Sequence, residues 1–408
     1  MVQTIFILIL IIVVANFIFD RVLSFLNIKH AKQPIPTLLE GIYSEEQYKM
    51  QQSYFRANTT FGQITSTYNF LIVLGMYAFG GFGWLDGLLQ HHVANPMLIS
   101  LIFFGVLFLA NDIISIPFEW YDTFVIEERF GFNKVTPKLF ILDKLKSYLL
   151  TVLIGGGILS LIIWIYQLTP TYFWFFAWAA VTLFGLFMSM FYSELIVPLF
   201  NKQTPLPEGE LRTSIEKFSE QVGFELKNIY VIDGSKRSTK ANAYFTGFGK
   251  KKRIVLYDTL INDLSIDEIV AVLAHEIGHY KNKHTIKNIL LSIPNTLVLF
   301  FLFGLILKSN VLARALGGEQ ANFHLNTLAF GILYSPVSLI LDLGMNVISR
   351  KFEYQADYFV KQHGRASDLI TSLKKISSQS LSNLTPHPAV VFVNYSHPTL
   401  LQRIKALL

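Results

Sequence analysis

Apolar residues along this chain do not recur at the two-residue spacing of a half-buried strand or the three-and-four spacing of a surface helix. They run nearly unbroken for roughly 20 residues at a time, which is what a helix needs to cross a hydrocarbon core. Seven such runs stand out, at residues 4–19, 68–89, 97–118, 148–166, 172–197, 289–307 and 328–348, and they predict seven membrane spans. Asp20 and Arg21 mark the end of the first. No basic segment precedes that run and no small-residue cleavage site follows it, so it reads as a span and not as a signal peptide. Asn111 and Asp112 lie inside the third run; Asp342 lies inside the seventh, which Pro336 interrupts. A carboxylate at that depth belongs on a face turned towards a bundle interior or an aqueous cavity.

The polar blocks between the runs fix an expected orientation. Residues 91–96 and 168–171 contain no Lys or Arg, and the segment between the sixth and seventh runs has only Lys308 and Arg314. On the other side lie Arg21, Lys29, Lys32, Lys49 and Arg56, followed by Arg129, Lys134, Lys138, Lys144 and Lys146. Positive loops stay on the cytoplasmic side, which places the amino terminus outside and the carboxyl terminus inside. That side is the cytoplasmic face of the inner membrane in a bacterium, or of the endoplasmic reticulum in a eukaryote. The chain then divides into residues 1–199, with five spans and polar loops, and residues 200–408, with two spans and the polar segments 200–287 and 349–408.

Composition agrees: 52% of the 408 residues are hydrophobic and only 15% are charged, against about 25% charged in an ordinary soluble domain. The net charge of +6 is spread beside the apolar runs and not gathered in one patch, so nucleic acid is not an expected partner. The chain has no cysteine, which excludes disulfides, thiolate metal sites and thiol nucleophiles. Any metal must be held by histidine and carboxylate.

Such a set is present. Residues 271–280 read A-V-L-A-H-E-I-G-H-Y. On a helix His275 and His279 share one face a turn apart, and Glu276 stands beside the first, placed to take a proton from a water. Ser265, with Glu268 three residues on, supplies a start signal for that helix. The five-residue pattern also fits a pair of surface histidines. A third ligand is sought in residues 349–357, S-R-K-F-E-Y-Q-A-D, where Glu353 and Asp357 are a turn apart; beside Arg350 and Lys351 this pair also reads as a solvated helix face. Residues 228–233 and 253–257 read as short strands, with the glycine-punctuated 238–249 between them. That arrangement is either a structural hairpin or an edge on which an extended peptide can pair.

Taken together, H-E-I-G-H at 275–279, S-R-x-x-E-Y-Q-A-D at 349–357, S-x-x-x-N-A-Y-F-x-G-F-G at 238–249, S-H-P at 396–398 and the polar 119–133 stretch resemble one family. It is the Ste24-type CAAX prenyl proteases, integral-membrane zinc metalloproteases of family M48. Smaller quality-control proteases share the metal motifs but have fewer spans. The resemblance implies a mainly α, integral-membrane fold in which seven transmembrane helices enclose a chamber, with a gluzincin-like zinc protease domain containing a small β-sheet. It implies one zinc ion per chain on His275, His279 and Glu353, with Glu276 activating the water. Asp357 would orient His279 or donate a proton, His397 would stabilise the oxyanion, and Arg350 and Arg403 would support them. Asn242 and Ala243 would lie along the substrate. The expected partners are the lipid bilayer and a peptide or protein substrate, prenylated at its carboxyl terminus or not, cut by a monomer. The alternatives are a quality-control protease without a prenyl requirement, a transporter with an incidental motif, and an inactive relative.

The other histidines carry less. His284 is five residues past His279, off the ligand face of a continuous helix, and reads as surface. His387 reads as part of a turn, and His91 and His92 as solvated. His30, His324 and His363 give no signal.

Overall fold

The computed structural model describes residues 1–225, 229–246 and 253–408. Asn228 and the glycines of 247–249, which entered the strand readings above, therefore lie outside the described residues. Apolar length dictates the first half of the fold. Helices α1 (Val2–His30), α2 (Glu45–Ala78), α3 (Gly81–His92) and α4 (Pro96–Tyr121) come first. Next are α5 (Pro137–Leu150), α6 (Gly156–Leu168), α7 (Phe173–Leu195) and the short α8 (Val197–Phe200). Single wide turns at Asp122–Glu127 and Thr151–Gly155 extend α4 and join α5 to α6. Among the described residues, six continuous helical segments are long and apolar enough to cross a membrane, and the bent pair α2–α3 makes a seventh. The bend of 61° falls at Gly80, whose φ of +67° is open to glycine at no steric cost.

The expected spans hold, and the helices overrun them. Helix α1 does not stop at Asp20 and Arg21. The Arg21 guanidinium donates to the Gln63 carbonyl and to the hydroxyls of Ser66 and Thr67 on α2, so the charge is satisfied by a neighbouring helix. Asp112, inside α4, pairs with Lys144 at 2.9 Å and accepts from the Tyr148 hydroxyl at 2.5 Å. Asp342 accepts from Ser338 at 3.1 Å and is exposed along its helix.

The second half builds the polar domain. Strand β1 (Gln203–Pro205) is followed by α9 (Glu210–Gln221), β2 (Ile229–Ile232), β3 (Ala243–Thr246) and β4 (Arg253–Tyr257). The sheet order is β1-β2-β4-β3, with β2 and β4 parallel and the other pairs antiparallel. The continuous apolar run Ile254–Leu256 makes β4 central and buried, and leaves β3 as an edge. After α10 (Asp258–Asp263), helix α11 (Ile266–Lys281) starts at the predicted capping box: Ser265 Oγ accepts from the Glu268 amide while the Glu268 carboxylate accepts from the Ser265 amide. Ile269, Leu273 and Ile277 face the sheet and join Ile215 and Phe218 of α9 in one apolar core.

Helices α12 (His284–Ile306), α13 (Asn310–Ala315) and α14 (Phe323–Gln362) return the chain to the membrane and back. Helix α14 is 40 residues long, about 60 Å at 1.5 Å per residue. The segment 349–357 is thus a continuation of the seventh span and not a separate helix after it. Helices α15 (Ala366–Gln379), α16 (Pro388–Asn394) and α17 (Leu400–Leu407) close the domain over α11 and α14.

Candidate metal centre

The site forms where α11 crosses α14. The capping box fixes the start of α11, and the apolar stripe that buries it against the sheet turns the next stripe, with His275 and His279, towards α14. The two imidazoles present their Nε2 atoms to each other at 3.1 Å. Glu353 completes the group, with Oε2 3.3 Å from His275 Nε2 and Oε1 3.2 Å from His279 Nε2. Glu353 is 5% exposed, and its Oε2 makes no aligned hydrogen bond. Four acceptor-capable atoms this close face one another's lone pairs, an arrangement that needs a cation or a proton between them.

A divalent ion fits. Tetrahedral zinc with bonds of about 2.0–2.1 Å needs donors about 3.3 Å apart; the two Nε2 atoms are 3.1 Å apart, and Glu353 sets Oε2 3.3 Å from the one on His275 and Oε1 3.2 Å from the one on His279. The donor chemistry, two imidazoles and a carboxylate with a cavity on the open side, is that of a catalytic and not a closed structural site.

The surrounding groups orient the ligands. His275 Nδ1 lies 2.9 Å from Asp357 Oδ1. Asp357 is 1% exposed and receives two bonds from Arg403, at 2.9 and 2.6 Å. This corrects one expectation: Asp357 holds His275 and not His279. The pairings His275 with Asp357 and His279 with Glu353 run in opposite directions along the two helices, so the second acidic position meets the first histidine. Buried behind the ligands and bound to Arg403, Asp357 is also poorly placed to protonate a substrate. Burial and the Arg403 charge act against protonation of His275, yet hydrogen bonds to Asp357 and Glu353 outweigh them and hold its pKa up at about 9 without a metal. Burial works against the Arg403 charge in the same way, and Asp357 more than compensates, so its pKa is raised.

Glu276 lines a cavity of about 440 Å³ in front of the histidines, and makes no hydrogen bond to a described residue. Across the cavity stands the edge of β3, with Asn242 and Ala243; Leu260, Val272, Leu369 and Leu373 form an apolar wall. His397 reaches in from the turn before α17, Nε2 3.3 Å from Glu353 Oε1, with its side chain 66% exposed. Arg350 does not touch the metal ligands. Its guanidinium bonds the carbonyls of Val391 and Tyr395, holding the turn that delivers His397. Arg403, by contrast, stands directly behind the ligands.

Two histidines occupy places that their sequence positions did not indicate. His284 is 2% exposed, lines the cavity, and lies 2.9 Å from His279 through the two Nδ1 atoms. Its i+5 spacing misled because α11 ends at Lys281 and a new helix begins at His284. Asn282, a residue type common at helix ends, was the available signal. His324 is buried at 1% exposure between Asp86 (2.8 Å) and Ser100 (3.1 Å), far along α14 from the metal ligands; nothing in its sequence neighbourhood announced this. His387 caps α16 and His91 and His92 are exposed, as expected.

Known proteins resemble this chain along nearly its whole length. Residues 24–202 match the model of a CAAX prenyl protease N-terminal region with five membrane helices, and residues 205–408 match that of peptidase family M48. The CAAX prenyl protease 1 homolog of Arabidopsis thaliana is 36% identical over 97% of this chain and 95% of its own length. CAAX prenyl protease 1 of Saccharomyces cerevisiae is 34% identical over 97% of this chain and 93% of its own. The crystal structure of S. mikatae Ste24p superposes with a TM-score of 0.93 at 34% identity, covering 99% of both chains.

Proposed function

This chain belongs to peptidase family M48 and is a membrane metalloendopeptidase of the CAAX prenyl protease type, and from that premise we propose that it uses zinc to cut prenylated peptides near their carboxyl termini. Membership removes the transporter reading. The observation that carries the proposal is the donor triangle of His275, His279 and Glu353 facing the edge of β3 across one cavity. The prenylated substrate is taken from the relatives, which are named CAAX prenyl proteases.

An extended peptide pairs with the β3 backbone at Asn242 and Ala243, which lays its scissile bond over the metal ligands. His275, His279 and Glu353 would hold a zinc ion, which would supply Lewis acidity towards a water and the peptide carbonyl. The Glu276 carboxylate takes the proton of the attacking water and passes it to the nitrogen of the leaving amine. His397, donating from Nε2, meets the negative charge that develops on the carbonyl oxygen. Arg350 positions His397 through the 391–395 backbone. Arg403 fixes Asp357, and Asp357 fixes the His275 ring with its Nε2 towards the metal.

The protein acts as a monomer with its catalytic domain on the cytoplasmic side. Because the chain has no cysteine, an Ala94→Cys variant reports the orientation: an impermeant thiol reagent should label it from outside only.

The function is tested with a farnesylated CAAX peptide and its non-prenylated twin, each with and without chelator. Chelator-sensitive cleavage of the farnesylated peptide alone is the expected result. Equal cleavage of both would replace prenyl recognition with a quality-control role, and no cleavage of either by zinc-loaded protein would overturn the substrate.

A further inference from the structure

A metal-ligating histidine needs its second ring nitrogen held, because the proton there decides which nitrogen points at the ion. His275 has Asp357 for this purpose. The Nδ1 of His279 has no carboxylate or carbonyl partner among the described residues; it faces Nδ1 of His284 at 2.9 Å. His284 Nε2 in turn lies 2.8 Å from Oε1 of Gln355. We propose that His284 is a positioning residue which, with Gln355, fixes the tautomer and ring orientation of His279 for metal binding. The proposal rests on the reading of His279 as a ligand.

The chain of hydrogen bonds has only one workable polarity. With the Nε2 lone pair of His279 committed to an ion, its proton sits on Nδ1 and must be donated. Among the described residues, the ring atom placed to accept it is His284 Nδ1, so the His284 proton sits on Nε2. That proton is donated to the Gln355 carbonyl oxygen, which can only accept. A protonated Nδ1 on His284 would set two N–H groups against each other. The relay therefore reads from Gln355 on α14, through His284 on α12, to His279 on α11, and ties together three helices around the ion.

Two further features bear on His284. Lys283, just before it, has φ of +56°, one of two non-glycine residues with positive φ among those described. Side-chain-bearing residues adopt this conformation rarely and at a cost. Here it turns the chain sharply between α11 and α12, and the turn points His284 back at the ligands. The His284 ring also stacks on Phe352, with centroids 4.2 Å apart and planes within 11°. That contact holds the ring plane so that Nδ1 meets His279 and Nε2 meets Gln355.

The test separates ring packing from hydrogen bonding. His284→Phe keeps the stack and removes the acceptor; His284→Asn loses the stack and keeps an acceptor oxygen near the Nδ1 position. Zinc affinity is measured on the full-length, detergent-solubilised protein by competition with a chromophoric chelator, and the His279 tautomer by ¹⁵N NMR of histidine-labelled protein. His284→Phe should bind zinc about 10–100-fold more weakly, and His284→Asn should recover most of that loss. In the Phe variant the Nδ1-protonated signal of His279 should give way to a mixture of tautomers. Wild-type affinity in His284→Phe would overturn the proposal, since the ring stack alone would then suffice, and so would equal loss in both variants, since an acceptor kept near Nδ1 would then rescue nothing. Should the Phe variant fail to fold, wild-type affinity in Gln355→Leu would overturn it by the same logic. If the wild-type protein bound no zinc, the reading of His279 as a ligand would fall first and the proposal with it.

Discussion

Adding one methyl group at Gly278 tests why the metal site has the shape it does. Gly278 lies on α11 between Glu276 and His279, on the face packed against α14. A Cβ built there would sit 3.1 Å from the Cα and carbonyl oxygen of Ala356 and 3.1 Å from Phe359 Cβ. Carbon atoms pack best at about 3.5–4.0 Å, and two of the three obstructing atoms are backbone, so α14 itself must retreat by about 0.4 Å. Glu353, three residues from Ala356, would retreat with it. Its separations from the histidines, now 3.2 and 3.3 Å, would open to about 3.6–3.7 Å, beyond what tetrahedral zinc allows.

Overpacking of this kind costs about 1–3 kcal/mol, while replacing glycine within a helix gains about 1 kcal/mol. Without metal, α14 can relax outward and shed most of the overpacking cost, so Gly278→Ala should change stability by about 1 kcal/mol or less in either direction. With metal the helices are drawn back together, so the overpacking cost falls on the bound state and weakens affinity about 5- to 150-fold. The assays are thermal unfolding of chelated protein and zinc competition binding, with Gly344→Ala as the control because nothing lies within 4 Å of a Cβ at that position. Unchanged zinc affinity in Gly278→Ala would refute the idea that close helix approach sets the site.

The remaining expectations concern protons and caps. Glu276→Gln should keep zinc at full occupancy and lower kcat about 10²–10⁴-fold; loss of the metal in that variant would move Glu276 from proton transfer to structure. In chelated protein the pKa of His275 is raised from 6.5 to about 9. A raised value means that charged His275 contributes stability fully below pH 6.5 and loses it as pH rises through 9, a loss on the order of 3 kcal/mol. Denaturation midpoints of chelated protein at pH 6.5 and pH 9 should show it, zinc-loaded protein should not, and zinc uptake at pH 7 should release close to one proton. Glu268 is opposed by burial but held below its ordinary pKa by Lys375 and the Ser265 amide. Its contribution is therefore present above about pH 4.5 and disappears as the pH falls below that. Glu268→Ala should cost about 1–2 kcal/mol at pH 7 and much less at pH 3.

How much of this was legible in the sequence depends on the range of the forces involved. Span length is a local property, and the seven apolar runs gave the membrane helices, although not their ends, because Arg21 is satisfied by α2 and not by water. The capping box at Ser265 and Glu268 is also local, and it formed as read. His275, His279 and Glu353 were named through motifs and do converge. What failed involved relations between elements. Asp357 was assigned to the wrong histidine because the antiparallel crossing of α11 and α14 is set by packing and not by spacing. His284 was dismissed because helical spacing was extended through a break that depends on one unusual backbone angle at Lys283.

The 40-residue length of α14 has a mechanical consequence for the site. Pro336 lies in the membrane run and Glu353 at the metal, 17 residues or about 25 Å apart along one helix. A pivot of 1° at Pro336 moves Glu353 by about 0.4 Å, and functional constellations tolerate only about 0.5 Å. A side chain placed this closely against His275 and His279 at the end of so long a lever needs bracing near its free end. The bracing is visible: Asn346 donates to the Val393 carbonyl at 2.7 Å, and Arg350 one turn later bonds the carbonyls of Val391 and Tyr395. The same 391–395 segment delivers His397 to the cavity. Glu353 and His397 are thus held in register by one set of bonds, so a movement of the seventh span that escaped this clamp would misalign the two side chains together.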